Sequence, residues 1–154
     1  MKYIQSIIIA SSFLILTSIN LFSQSRGTGV GIIIGEPTGI SLKEWLSSRS
    51  ALDAGLAWSF VQESSIHVHI DYLIHSFDVF DRPNGLNLYY GIGGRVKVGN
   101  DEKARVGMRM VGGLDYMFRT APFDLFFEVA PILDFVPETN LNANAGFGAR
   151  FFFR

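Results

Sequence analysis

The 154 residues contain no cysteine. Disulfides therefore cannot support the fold, and there is no thiol to carry a lipoprotein anchor. Excess charge of either sign is also missing, with 13 Lys and Arg against 14 Asp and Glu. That leaves no basic footprint for nucleic acid, and none is expected as a partner. Long apolar runs are absent after residue 23. No later window approaches the roughly 20 apolar residues of a membrane helix. No segment shows a capped helical apolar stripe. Aromatics and glycine are plentiful instead: 14 Phe, 5 Tyr, 2 Trp and 16 Gly. A role in a membrane would have to be carried by strands.

The first 23 residues have the pattern of a cleaved secretory signal. Lys2 supplies an early positive charge, Ile7 to Leu16 an apolar run, and Ser23 a small residue before a cut near Gln24. Read instead as an anchor, residues 7–22 are short for a span. Ser11, Ser12, Thr17, Ser18 and Asn20 dilute them further. Residues 24–154 are then expected to form one domain.

In that domain, side chains alternate between apolar and polar about eight times. Ile66, Val68, Ile70, Tyr72 and Ile74 share one face, and His67, His69, Asp71 and His75 the other, with Leu73 among them. The spacing predicts strands near 28–35, 38–46, 51–61, 65–76, 86–98, 104–118, 123–135 and 141–153. The breaks between them are rich in Pro, Gly, Asn, Asp and Ser, such as Glu36-Pro37, Ser47 to Ser50 and Pro137 to Asn140. In the sixth strand Val106, Met108, Met110 and Leu114 oppose Arg105, Gly107, Arg109 and Asp115.

The large apolar face is the uncharged one, so it suits lipid on the outside. Arg or Lys at mid-depth on a lipid face costs about 2–4 kcal/mol. The expected fold is all-β: an eight-stranded antiparallel up-and-down transmembrane barrel with a polar, filled lumen. Eight strands enclose a space that side chains can fill. Two positions strain the pattern. Glu44 falls outward and Trp45 inward, which either a bulge or a strand end at headgroup level would accommodate. Pro131 removes a ladder donor, which implies a bulge or locally open pairing.

Inward candidates are Lys43, Arg95, Lys97, Arg105, Arg109 and Arg150, against Asp53, Asp71, Asp115, Glu128 and Asp134, with His67, His69 and His75 beside them. Near balance is what a low-dielectric interior requires. Short turns suggest Asp53 across from His75, Gly93 across from Arg109, and Gly107 across from Arg95. Arg109 is expected to pair with Asp134, and Arg150 with Glu128 on a diagonal.

His67, His69 and Asp71 share a strand face, and His-x-His can chelate zinc there. The simpler reading makes the three histidines hydrogen-bonded members of the polar network, with pH sensing as a further possibility. No metal or cofactor is expected. His75 and Ser76 project to opposite faces and form no base–nucleophile pair. Ser41 and Ser59 point inward without a sure histidine neighbour. Gly91 to Gly94 lies in a strand and leads into no helix, so it is no phosphate loop. No catalytic residue is expected.

Gly148-Ala-Arg-Phe151-Phe-Phe153 resembles the Gly-x-x-aromatic-x-aromatic end of outer-membrane barrels, with Arg154 and Gly146 as departures. The mature chain resembles the small barrels of the OmpA membrane-domain and OmpX type. More narrowly it resembles short bacterial barrels that share Gly35-Glu-Pro-Thr-Gly39, Ser41-x-Lys43-x-Trp45-Leu46 and His67-x-His69-x-Asp71-Tyr72-Leu73. Tyr89-Tyr-Gly-Ile-Gly-Gly-Arg95 and Ala130-Pro131-x-Leu133-Asp134 also match. The resemblance implies the fold and a location in the outer membrane of a Gram-negative bacterium. A monomer is expected there, contacting the membrane's lipids and, during insertion, the barrel-assembly machinery. The filled lumen makes a non-porin the expectation, with a structural or undefined envelope role. A ligand- or metal-binding lumen and a lipid-modifying enzyme are the alternatives. With both termini periplasmic, the outer connections at 36–37, 62–64, 99–103 and 136–140 are short, and the longest, 77–85, is periplasmic. Short outer loops speak against an adhesin or receptor.

Overall fold

A computed structural model describes residues 27–59, 65–77, 79–80, 85–99 and 103–153. The expected signal peptide and its cleavage site lie outside these residues. The strands are β1 (Thr28–Glu36), β2 (Thr38–Trp45), β3 (Ser50–Ser59), β4 (Ser65–Ser76), β5 (Leu86–Gly99), β6 (Arg105–Met117), β7 (Phe123–Val136) and β8 (Asn140–Phe153). They agree with the expected spans to within two residues at each end. Each pairs antiparallel with its sequence neighbours, and β1 pairs with β8 to close an up-and-down barrel. The described residues contain no helix.

The alternation fixes which face turns inward. Along β4 every second residue is buried: Ile70 is 59% exposed while the next residue, Asp71, is 1% exposed. The charged face is therefore the inside, and the aliphatic and aromatic face surrounds the barrel. A slip of one residue would place Asp71 outside and Ile70 within, so the pattern excludes odd slips.

Local chemistry makes the turns. Ser47 Oγ accepts the backbone N–H groups of Arg49 and Ser50 at 3.2 and 3.0 Å, tightening the β2–β3 connection. Gly85 enters β5 at φ 114°, a conformation open to glycine. Its carbonyl there accepts the Met117 N–H at 2.8 Å and the Asn87 amide at 3.0 Å.

Both irregular positions have explanations. No register shift occurs between β2 and its neighbours, so the bulge envisaged near Trp45 is absent. Trp45 is the last residue of β2 and is buried inward, while Glu44 accepts a hydrogen bond from Thr28 Oγ1 at 2.5 Å. Around Pro131 the β6–β7 pairing skips Met110 and Val111, as a missing donor requires. The bulge lies further on, where Val106 pairs with Val136 and Gly107 with Asp134.

The closing seam depends on a missing side chain. A Cβ on Gly31 would meet the Ala149 carbonyl oxygen and stand 2.7 Å from Arg150 Cα. These are backbone atoms of the paired strand and cannot rotate away. Gly31→Val is expected to reduce the yield of closed barrel severely. Loss of the compact, heat-sensitive band on a gel measures this, and a wild-type yield would contradict it.

Candidate functional site: the filled lumen

Strand ends place the inward residues in levels. Near the end that carries Thr28 and Phe153, Lys43 of β2 reaches across to Asp115 of β6 at 3.0 Å. Its ammonium also lies 2.8 Å from His75 Nε2. Asn87 donates to the other Asp115 oxygen at 3.0 Å. Above this pair Trp45 packs on His75 with centroids 4.4 Å apart, and His75 packs on Tyr89 at 5.4 Å. Trp45 also lines a cavity of about 930 Å³ at the same end, together with Phe77, Phe118 and Phe152.

Arg150 of β8 is the central cation. Its Nε donates to both oxygens of Asp124 at 3.1 and 3.2 Å, and its Nη1 to Asp53 Oδ1 of β3 at 2.5 Å and Ser41 at 3.4 Å. Its guanidinium lies 3.8 Å from the centre of the Phe126 ring, a cation–π arrangement. Arg109 stands between Glu128 at 3.1 Å and Asp71 at 3.2 Å. Toward the other end Arg95 grips Asp134 through Nε at 3.1 Å and Nη2 at 2.6 Å, and Asn142 donates to the same carboxylate at 2.8 Å. Such two-point contacts are the stronger kind of ion pair.

The structure brings inward Asp53, His67, His69, Asp71, His75, Arg95, Arg109, Asp115, Glu128, Asp134 and Arg150, all buried. Lys97 and Arg105 pair with each other's strand positions and are only half-buried. Gly93 faces Arg109 and Gly107 faces Arg95, also as expected. Three pairings differ. Asp53 faces Asp71, because β3 and β4 pair four residues away from the expected register. Arg109 binds Glu128 and Asp71 rather than Asp134, which Arg95 holds. Arg150 binds Asp124, its direct cross-strand partner, rather than Glu128 on the diagonal.

Asp124 was legible as an inward residue, since it alternates with outward Phe123 and Leu125, but it stood outside the expected charge set. It changes the balance. Among the described residues four cations are fully buried, Lys43, Arg95, Arg109 and Arg150, against six carboxylates, Asp53, Asp71, Asp115, Asp124, Glu128 and Asp134, with Lys97 and Arg105 half-buried beside them. The filling is also less polar than expected: Ile33, Leu73, Tyr89, Val111, Phe126 and Ala130 form a buried apolar cluster among the charges.

The histidines separate. His67 Nε2 lies 3.2 Å from Ser65 Oγ, and His67 Nδ1 has no hydrogen-bond partner. Among the described residues this serine–histidine pair has no third group orienting the ring, which nucleophilic catalysis calls for. His75 joins the Lys43–Asp115 level, with Ser76 on the opposite face. His69 lies between Asp53 and Asp71, with Nε2 at 3.8 and 3.9 Å from their oxygens. The metal-type cluster is therefore Asp53, His69 and Asp71, and His67 is not in it.

No protein-family model matches the chain, and no curated protein matches it. Among solved structures, the N-terminal β-barrel domain of Pseudomonas aeruginosa OprF superposes with a TM-score of 0.63. The match covers 84% of this chain and 100% of that one at 17% identity. This chain shares that domain's fold. At such identity the likeness carries the eight-stranded architecture and leaves the lumen residues to be judged by their own geometry.

Proposed function

We propose that the protein is a monomeric, non-conducting barrel of the bacterial outer membrane with a structural role in the envelope. The observation that carries this reading is the set of ion pairs that span the lumen. Lys43–Asp115 joins strands on opposite sides of the barrel, and Arg150–Asp53 crosses from β8 to β3. All four side chains are at most 3% exposed. Water-filled passage would require these pairs to part.

The outer surface supports the membrane setting. Ile32, Ile70, Ile92 and Met110 are each more than half exposed, far more apolar surface than a soluble monomer leaves uncovered. At the end bearing the termini, Tyr116 and Phe118, and Phe123, Phe151 and Phe153, pack edge-to-face with centroids 5.0 to 5.1 Å apart. Rings at that level suit a headgroup girdle. Lipids are then the principal partner, and the barrel-assembly machinery a transient one. The OprF domain's fold is consistent with this setting. The connections at the far end number only one to five residues, a length that speaks against a receptor or adhesin.

The test is fractionation with gel migration before and after boiling, followed by planar-bilayer recording. The protein is expected in the outer membrane, with heat-modifiable migration and no unitary conductance. A soluble product would end the membrane reading. Stable open-channel steps would end the non-conducting one.

A further inference from the structure

Among the described residues, four fully buried cations face six fully buried carboxylates, and Lys97 and Arg105, which also turn inward, lie half-buried toward the far end. Arg95 is held by Asp134, and Lys43 by Asp115. Arg150 is divided between Asp124 and Asp53, and Arg109 between Glu128 and Asp71. Asp53 and Asp71 each receive a share of a cation, and they face each other across β3 and β4. His69 stands between them. An uncompensated buried carboxylate costs several kcal/mol, so two facing each other need a counter-charge.

A proton on His69 or one divalent cation could supply it, and the His69 distances favour the cation. A protonated His69 would donate to one carboxylate at about 2.7–2.9 Å. Its Nε2 instead stands 3.8 and 3.9 Å from Asp53 Oδ2 and Asp71 Oδ2. Ligand atoms bound at about 2.0–2.2 Å lie roughly 3.3–3.8 Å apart for angles between tetrahedral and trigonal. The observed gaps are within a few tenths of an ångström of that. A ligand atom from each of the three residues lies within 4.8 Å of the others.

A second observation points the same way. Neither oxygen of Asp71 receives a hydrogen bond, although the residue is 1% exposed. Arg109 Nε approaches one of them at 3.2 Å without forming one. A buried carboxylate that accepts no hydrogen bond and has one cation at 3.2 Å is short of partners. Glycines leave the space that holds these groups in place. A Cβ on Gly55 would strike the His69 ring, and one on Gly93 would strike Asp71 Oδ1.

We propose that Asp53, His69 and Asp71 bind one divalent first-row transition ion of the zinc type. One imidazole nitrogen and two carboxylate oxygens suit such an ion better than magnesium or calcium, which favour six or more oxygens. Arg95, Arg109 and Arg150 border the site, and Asp134, Glu128 and Asp124 pair with them. The inference rests on the inward faces and not on the envelope role.

The experiment is equilibrium dialysis of chelator-stripped, refolded full-length protein against zinc, with metal and protein quantified. One zinc per chain is expected. Asp71→Asn and His69→Gln are expected to weaken binding at least about tenfold, while His67→Ala leaves it unchanged. Heat-modifiable migration confirms that each variant is folded. Cobalt(II) in the unaltered protein gives a readout that needs no variant: a visible ligand-field band of low-symmetry, nitrogen–oxygen coordination, abolished by excess zinc. Absence of stoichiometric zinc and of that band would overturn the proposal. So would zinc retained in folded Asp71→Asn and His69→Gln, or lost in His67→Ala alone.

Discussion

Arg150→Leu is expected to destabilise the barrel by about 3–5 kcal/mol, the range for removing one partner of a buried ion pair. The side chain is 1% exposed and holds two carboxylates from different strands. Its removal leaves Asp124 with Lys43 at 4.0 Å and Asp53 beside Asp71 and His69. Most of the loss is the penalty on the orphaned anions and not the strength of the pair itself. Arg150→Leu combined with Asp124→Asn is therefore expected to be more stable than Arg150→Leu alone. Urea unfolding in lipid vesicles, followed by the fluorescence of Trp45 and Trp58, measures both. An effect below about 1 kcal/mol, the size of an ordinary surface change, would mean that Arg150 is solvated.

The second large effect concerns the outer face and depends on depth. Ile70 lies mid-strand in β4 and is 59% exposed, while Leu141 lies at the start of β8 and is 74% exposed. In a bilayer, Ile70→Arg is expected to cost about 2–4 kcal/mol and Leu141→Arg about 0–1 kcal/mol. In water the two would be similar, because neither side chain is packed. Unfolding in vesicles separates the cases, and equal costs at both positions would remove the lipid from around Ile70.

The fold was legible because it rests on short-range information. A period of two sorts residues by face, and Ser47, Gly85 and Pro37 mark where strands stop. The β5–β6 register was legible as well, with Gly93 opposite Arg109. The β3–β4 register was not. Asp53 opposite His75 would centre the turn on position 64, whereas Ser59 pairs with Ser65 and so centres it on position 62. An even slip leaves every side chain on its own face, so alternation cannot detect it. The ion pairs were obscured for a related reason. Lys43–Asp115 and Arg150–Asp53 cross the lumen, and such partners depend on the height of each residue around the whole barrel. Only the local part of the candidate metal cluster, His69 and Asp71, lay within reach of the sequence. Asp53 arrives from another strand through that unseen register.

The closing seam has consequences for how the barrel can be made. Seven seams join strands adjacent in sequence, and each can form as a hairpin. The β1–β8 seam joins Thr28 to Phe153 and Glu36 to Ala145, partners more than a hundred positions apart. Bringing them together costs about 3 kcal/mol more in chain entropy than closing a short turn. Until they meet, both strands expose unpaired backbone groups, each costing several kcal/mol in hydrocarbon. A half-built sheet therefore has no stable place in a bilayer. Entry into the membrane and closure of the ring have to be one event, or something else must pair with the two edges while they wait.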